Sequence, residues 1–252
     1  MPRFSANLGF LWQELPLPDA IRAAARAGFD AVECHWPYEV PVADVQAALS
    51  DTGLPMLGVN TSCGREGEFG LSALPGEGTR ARASVDEAIA YAEATDARAI
   101  HVMAGVAQGP AAHEAFLETL AYACAQTDRT VLIEPLNRYD APGYFLRDTG
   151  QAQDILTTLG APNAALMFDC YHVARTEGDL LTRSTDLWPI IGHIQFAAVP
   201  DRGAPDHGEI AYSEVFEAID RMGWPHPIGA EYIPQGATEA SLDWMQTIGG
   251  RA

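Results

Sequence analysis

Short apolar runs alternate eight times with longer amphipathic stretches along 252 residues, and this repetition narrows the fold more than any other feature of the chain. The runs are Phe4–Phe10, Ala31–His35, Pro55–Asn60, Ala99–Ala104, Thr130–Leu136, Ala164–Asp169, Gly192–Ala197 and Ile228–Tyr232. Continuous apolar runs of this kind predict strands covered on both faces. Between them, Asp, Ser, Thr or Pro near the start and often Gly at the end predict helices. These are Asp19–Gly28, Ala43–Gly53, Gly78–Thr95, Pro110–Thr127, Thr149–Gly160, Asp179–Ile190, Ser213–Gly223 and Thr238–Ile248. Each parallel strand pair needs a crossover, so eight such units predict one α/β domain over residues 1–252, closed as a (β/α)8 TIM barrel. An open doubly wound sheet would show a Gly-rich phosphate turn after the first strand, and Gly9-Phe10-Leu11-Trp12 is not one. The longest irregular stretch, Thr61–Glu77, has Gly64, Gly67, Gly70, Gly76 and Gly78 in or just beyond it and is a candidate lid.

Composition excludes several chemistries. All 15 basic residues are Arg. Without Lys there can be no Schiff-base aldolase, no lysine-bound pyridoxal phosphate and no phosphate loop ending in Lys. Arg stays protonated and is a poor nucleophile, so acid–base work falls to carboxylates, His, Tyr or Cys. The net charge of −19 opposes nucleic-acid and anionic-membrane partners, which need a basic face. The start Met1-Pro2-Arg3-Phe4 shows no signal-peptide pattern, and no run of about 18 apolar residues is present. With Cys34, Cys63, Cys124 and Cys170 far apart, a cytoplasmic protein with free thiols is expected.

In a barrel, chemistry gathers where strands end and the following loops begin. There the fifth to eighth strands carry Glu134, Asp169, Gln195 and Glu231, separated by 35, 26 and 36 positions, about one strand–helix unit each. This period sets one oxygen donor on each of four adjacent strands at the same rim. Three carboxylates crowded together need a compensating cation. The oxygen-only set suits one divalent ion, Mg²⁺ or Mn²⁺, better than zinc.

The runs Ile133-Glu134-Pro135-Leu136-Asn137, Asp169-Cys170-Tyr171-His172-Val173-Ala174-Arg175-Thr176-Glu177-Gly178 and Gly192-His193-Ile194-Gln195 resemble the hydroxypyruvate isomerase family of the xylose-isomerase-like barrels. The likeness continues through residues 200–210, Glu231-Tyr232-Ile233-Pro234 and Thr238-Glu239-Ala240, and covers nearly the whole chain. It implies metal ligands at Glu134, Asp169, Gln195 and Glu231, with Glu134 and Glu231 as the catalytic pair. It further implies interconversion of hydroxypyruvate and tartronate semialdehyde by proton transfer through an enediolate, and a possible homo-oligomer. The family's 2-oxo-tetronate isomerases would share that chemistry. Ketose 3-epimerases resemble the chain less, since they carry His where Gln195 stands and a Glu where Asp140 stands. A non-catalytic sugar-acid-binding barrel would have no need of paired proton carriers.

The resemblance gives His172 a contact with a substrate oxygen. A substrate carboxylate needs a cation, and without Lys the candidates are Arg202, after the seventh strand, and Arg65, in the Gly-rich loop. Asn7 and Asn60 end the first and third strands and could hydrogen-bond the same ligand. His101 ends the fourth strand and could line the pocket or fill a barrel layer. His193 reads as a hydrogen-bonded residue deeper in the barrel, Trp12 as pocket wall or packing, and Cys170 as structural.

Overall fold

A computed structural model describes residues 2–250. Eight parallel strands are ordered β2-β1-β8-β7-β6-β5-β4-β3, which is the chain order read around a ring. They are β1 (Phe4–Asn7), β2 (Ala31–Glu33), β3 (Gly58–Asn60), β4 (Ala99–His101), β5 (Thr130–Ile133), β6 (Ala164–Asp169), β7 (Ile191–Phe196) and β8 (Ile228–Ala230). The ring closes between β2 and β3, where the Val32 N–H donates to the Pro55 carbonyl at 3.0 Å and the Leu57 N–H to the Val32 carbonyl at 2.7 Å. The fold is therefore the (β/α)8 barrel that the eightfold alternation predicts.

Helices α1 (Leu17–Arg26), α2 (Val42–Thr52), α3 (Gly78–Thr95), α4 (Pro110–Gln126), α5 (Thr149–Leu159), α6 (Cys170–Thr176), α7 (Leu180–Leu187), α8 (Tyr212–Arg221) and α9 (Trp244–Thr247) surround it. Most strands are shorter than their apolar runs. The Leu11 N–H already turns back to the Asn7 carbonyl at 2.9 Å, so apolar residues past Asn7 belong to a loop. The expected final helix divides into a 3-10 turn, Thr238–Ser241, and α9. Helix α6 was not expected. It starts directly at the end of β6 because the Asp169 carboxylate caps it, accepting the Tyr171 N–H at 2.8 Å.

Apolar side chains fill the space between barrel wall and helices. Phe4 meets Trp244 and Phe196 meets Phe216 edge to face, with centroids 4.9 Å and 5.0 Å apart. Inside the barrel the apolar plug is small, built on Ala99, Leu132 and Met167, and a polar layer lies beside it. Strand alternation explains the division: Ile194 and Phe196 join the outer core, while His193 and Gln195 point inward. A bulge opposite Leu166/Met167 makes Gly192 the extra residue, and Gln195 then pairs with Asp169 across β6 and β7.

The Gly-rich loop 61–77 is not a free flap. Its second half is stitched to the loop after β4, through Ser72 N–H to the Met103 carbonyl at 3.3 Å and Ala73 N–H to the Ala104 carbonyl at 2.7 Å. Gly70 is required there: its φ is +126°, and a Cβ would lie 2.5 Å from the Met103 carbonyl oxygen. No helix among the described residues is long and apolar enough to cross a membrane.

Candidate metal centre and active site

Glu134 follows β5, Asp169 ends β6, Gln195 lies in β7 and Glu231 follows β8, and all four are buried. Together with His172 in α6, Glu134 and Asp169 form a buried cluster whose ligand atoms lie within 4.8 Å of one another, an arrangement able to hold a metal ion. Burial of a polar atom without a partner is costly. Yet Glu134 Oε1, Asp169 Oδ2 and Gln195 Oε1 are all buried with no hydrogen-bond partner. Three bare oxygens of this kind fit a hard divalent cation.

His172 stands differently. Its Nδ1 accepts from the Asn137 backbone N–H at 3.0 Å and lies 2.8 Å from Asn137 Nδ2. The ring proton therefore sits on Nε2, which faces Asp169 Oδ2 at 3.6 Å and Glu134 Oε1 at 3.9 Å. In this tautomer His172 is a donor aimed at the carboxylates rather than a ligand, and ligation would require breaking the Asn137 contacts. Burial, with Arg202 nearby, lowers its pKa to about 3, so the ring is neutral.

Glu231 is saturated. Its Oε1 accepts from Asn7 Nδ2 at 2.9 Å and meets His35 Nε2 at 2.9 Å, while Oε2 accepts from Arg202 Nη2 at 2.7 Å. Arg202 lies between the rings of Phe10 and Tyr171, at 4.7 Å and 5.1 Å from their centroids, and its Nη2 is also 4.0 Å from Asp169 Oδ2. Its φ of +56° holds the side chain on a strained loop residue. The arrangement pushes the two glutamates apart. Burial, then the nearby charges of Glu231 and Asp169, raises Glu134 well above the usual carboxylate range. Burial and Glu231 also raise Asp169, to about 8. Burial would raise Glu231 too, but Arg202 and the His35 hydrogen bond outweigh it and hold that carboxyl well below.

Of the other expected site residues, Asn7 joins the centre through Glu231 and Glu33, and His101 Nδ1 stands 3.7 Å from Glu134 Oε2. Burial pushes His101 down to about 4. Asn60 lines the barrel interior, where its main chain accepts from the Tyr38 hydroxyl. Arg65 is exposed on the loop after β3 and takes no part in these contacts. Trp12 is buried, tied by its indole N–H to Glu239 at 2.6 Å, and Cys170 is buried in the core. His193 Nε2 donates to Glu33 Oε2, 2.7 Å away.

Two residues of the site escaped sequence reasoning, Glu33 and His35. They sit two apart at the end of the second apolar run, on one face by strand alternation, but only the polar ends of strands five to eight followed the even spacing. The same rim rule applied to strand two would have found them.

A (β/α)8 barrel with a buried carboxylate cluster at the ends of its strands, able to hold a cation and flanked by a fixed Arg, defines a metal-assisted barrel enzyme. The chain belongs to the family described as xylose isomerase-like TIM barrel, which matches residues 21–248. It is 41% identical to the 2-oxo-tetronate isomerase of Cupriavidus necator over all of both chains. It is 36% identical to the hydroxypyruvate isomerase of Escherichia coli, covering 97% of this chain and 98% of the relative. A crystal structure of an AP endonuclease, family 2, from Brucella melitensis superposes with a TM-score of 0.94 at 36% identity, covering 98% of this chain and 99% of that one. Family and site together make the chain an isomerase-type enzyme.

Proposed function

We propose that the protein isomerises a short 2-oxo acid, interconverting hydroxypyruvate and tartronate semialdehyde with one Mg²⁺ or Mn²⁺. Glu134, Asp169, Gln195 and Glu231 would hold the ion, Glu231 by turning an oxygen from its present partners. The bound ion would stabilise negative charge developing on the substrate's neighbouring oxygens.

The chain's own residues do the rest. Glu231, ionised beside Arg202, takes a proton from the hydroxyl-bearing carbon, leaving an enediolate. Glu134, carrying a proton on the oxygen not given to the ion, returns it to the adjacent carbon, and the reverse reaction exchanges the roles. His172 Nε2–H offers a hydrogen bond to a substrate oxygen while the hydroxyl proton passes to the former carbonyl oxygen. Arg202 Nε, buried and without a partner, is left as a donor for the substrate carboxylate. The observation that carries the reading is the pair of buried, unpartnered oxygens on neighbouring Glu134 and Asp169, the latter beside that Arg, with a third bare oxygen on Gln195, the cross-strand partner of Asp169.

The identity over the whole chain with a 2-oxo-tetronate isomerase favours a second reading, a four-carbon substrate handled by the same groups. Proton NMR in D₂O separates the two. Hydroxypyruvate, 2-oxo-tetronate and free ketoses are each incubated with Mn²⁺-loaded enzyme and with EDTA. The expected result is turnover of a 2-oxo acid with deuterium appearing on the newly protonated carbon, abolished by EDTA. Turnover of ketoses alone, or turnover unaffected by EDTA, would overturn the proposal.

A further inference from the structure

Beneath the centre, one buried carboxylate gathers three side chains. Glu33 Oε1 accepts from Gln195 Nε2 at 2.8 Å and from Asn7 Nδ2 at 3.1 Å, and Oε2 meets His193 Nε2 at 2.7 Å. All four residues are at most 4% exposed. The barrel wall is cut back to admit them: a Cβ on Gly229 would lie 2.4 Å from Glu33 Oε1 and 2.8 Å from Gln195 Cγ.

An amide has one face that can ligate and one that cannot. Were Gln195 turned over, its NH₂ would face the candidate centre and offer no lone pair. Glu33 Oε1 already accepts an amide hydrogen from Asn7, so at 2.8 Å it accommodates the Gln195 amide nitrogen and rejects the amide oxygen. The outcome is the one seen: Gln195 Nε2 is fixed on Glu33, and Oε1 is left buried without a partner. The same oxygen of Glu33 turns the NH₂ of Asn7 inward, where it also reaches Glu231 at 2.9 Å.

We infer that Glu33 is a positioning residue that selects the ligating face of Gln195, acting as a hydrogen-bond acceptor and not through its charge. The inference rests on the proposed metal role of Gln195. It is specific about which variants matter. Gln at position 33 can still present an oxygen to Gln195 and Asn7, turning its NH₂ to His193. That ring can answer by moving its proton to Nδ1, which has no partner in the structure. Met at position 33 offers no acceptor at all.

The test is Mn²⁺ binding followed by electron paramagnetic resonance, with melting temperature measured on the same metal-free samples. E33M is expected to weaken Mn²⁺ binding by about 10–100-fold, the usual effect of removing a partner that orients a ligand. E33Q is expected to stay within about threefold of the unsubstituted protein, and in a Q195A background E33M should weaken binding by no more than about threefold. Equal losses in E33Q and E33M would overturn the inference by pointing to charge, and a fully additive loss in E33M/Q195A would overturn it by pointing to general structural damage. If E33M does not fold, E33Q decides alone, because a tenfold loss there contradicts acceptor-only selection. Absence of Mn²⁺ binding by the unsubstituted protein would instead remove the metal reading on which the inference stands.

Discussion

Replacing Arg202 should be among the most damaging single changes, and the structure says how. Its Nη2 lies 2.7 Å from Glu231 Oε2 and 4.0 Å from Asp169 Oδ2, and its guanidinium lies between two aromatic rings. At 2.7 Å and an effective dielectric constant of about 20, the attraction to Glu231 is roughly 6 kcal/mol before desolvation is subtracted. Breaking a buried pair by removing one partner costs about 3–5 kcal/mol in practice. If that energy is expressed in the transition state, R202M should lower kcat/KM by about 10²–10³-fold or more. A second signature follows from the same geometry. Arg202 holds the Glu231 carboxyl well below its ordinary range, so its removal raises that pKa. In the proposed mechanism Glu231 acts ionised, so activity falls as pH drops through its pKa, and the acid limb in R202M should move to higher pH. R202K, which keeps the charge but not the planar fork between the rings, should fall between the two. The assay is the pH profile of kcat/KM for hydroxypyruvate with saturating Mn²⁺. An R202M enzyme within about threefold of the unsubstituted rate, with an unshifted acid limb, would refute the reasoning.

Other consequences can be checked separately. E134Q and E231Q should each reduce turnover by about 10²–10⁴-fold while Mn²⁺ binding is partly retained; a near-normal rate in either removes that residue from proton transfer. G229A drives a methyl into Glu33 and Gln195, and overpacking of that order costs about 1–3 kcal/mol, which calorimetry should register as a lower melting temperature together with weakened Mn²⁺ binding. In metal-free protein, His207 lies 2.8 Å from Asp206 and 2.9 Å from Asp201, and these hydrogen bonds raise its pKa above 6.5. Its contribution to stability is thus full below pH 6.5 and lost as pH rises through the raised value; a pKa at or below 6.5 by NMR would contradict the pairing.

The barrel was legible because its cause is written locally: eight apolar runs separated by capped amphipathic stretches leave few other closed arrangements. The ends of the elements were not. Leu8 and Phe10 are as apolar as strand residues, yet the turn begins at Asn7, and α6 depends on a cap by Asp169, whose place at a strand end points in the sequence only to metal binding. At the centre, even spacing singled out Glu134, Asp169, Gln195 and Glu231, one per neighbouring strand. Glu33 and His35 lie far from them in sequence, and only the pairing of β1 with both β2 and β8 brings His35 to Glu231 and Glu33 to Gln195. Arg65 stands apart from them. A cation in a Gly-rich loop reads as a candidate substrate clamp, and the structure leaves Arg65 exposed and outside the contacts of the centre, while that loop's acid, Glu68, pairs with Arg80 at 2.9 Å.

The most direct measurement is an anomalous difference map from a crystal grown with Mn²⁺. The expected result is a single peak in contact with Glu134 Oε1, Asp169 Oδ2 and Gln195 Oε1, with a Glu231 oxygen completing the protein ligands. A map with no peak there, or with Gln195 presenting its nitrogen to the ion, would contradict it.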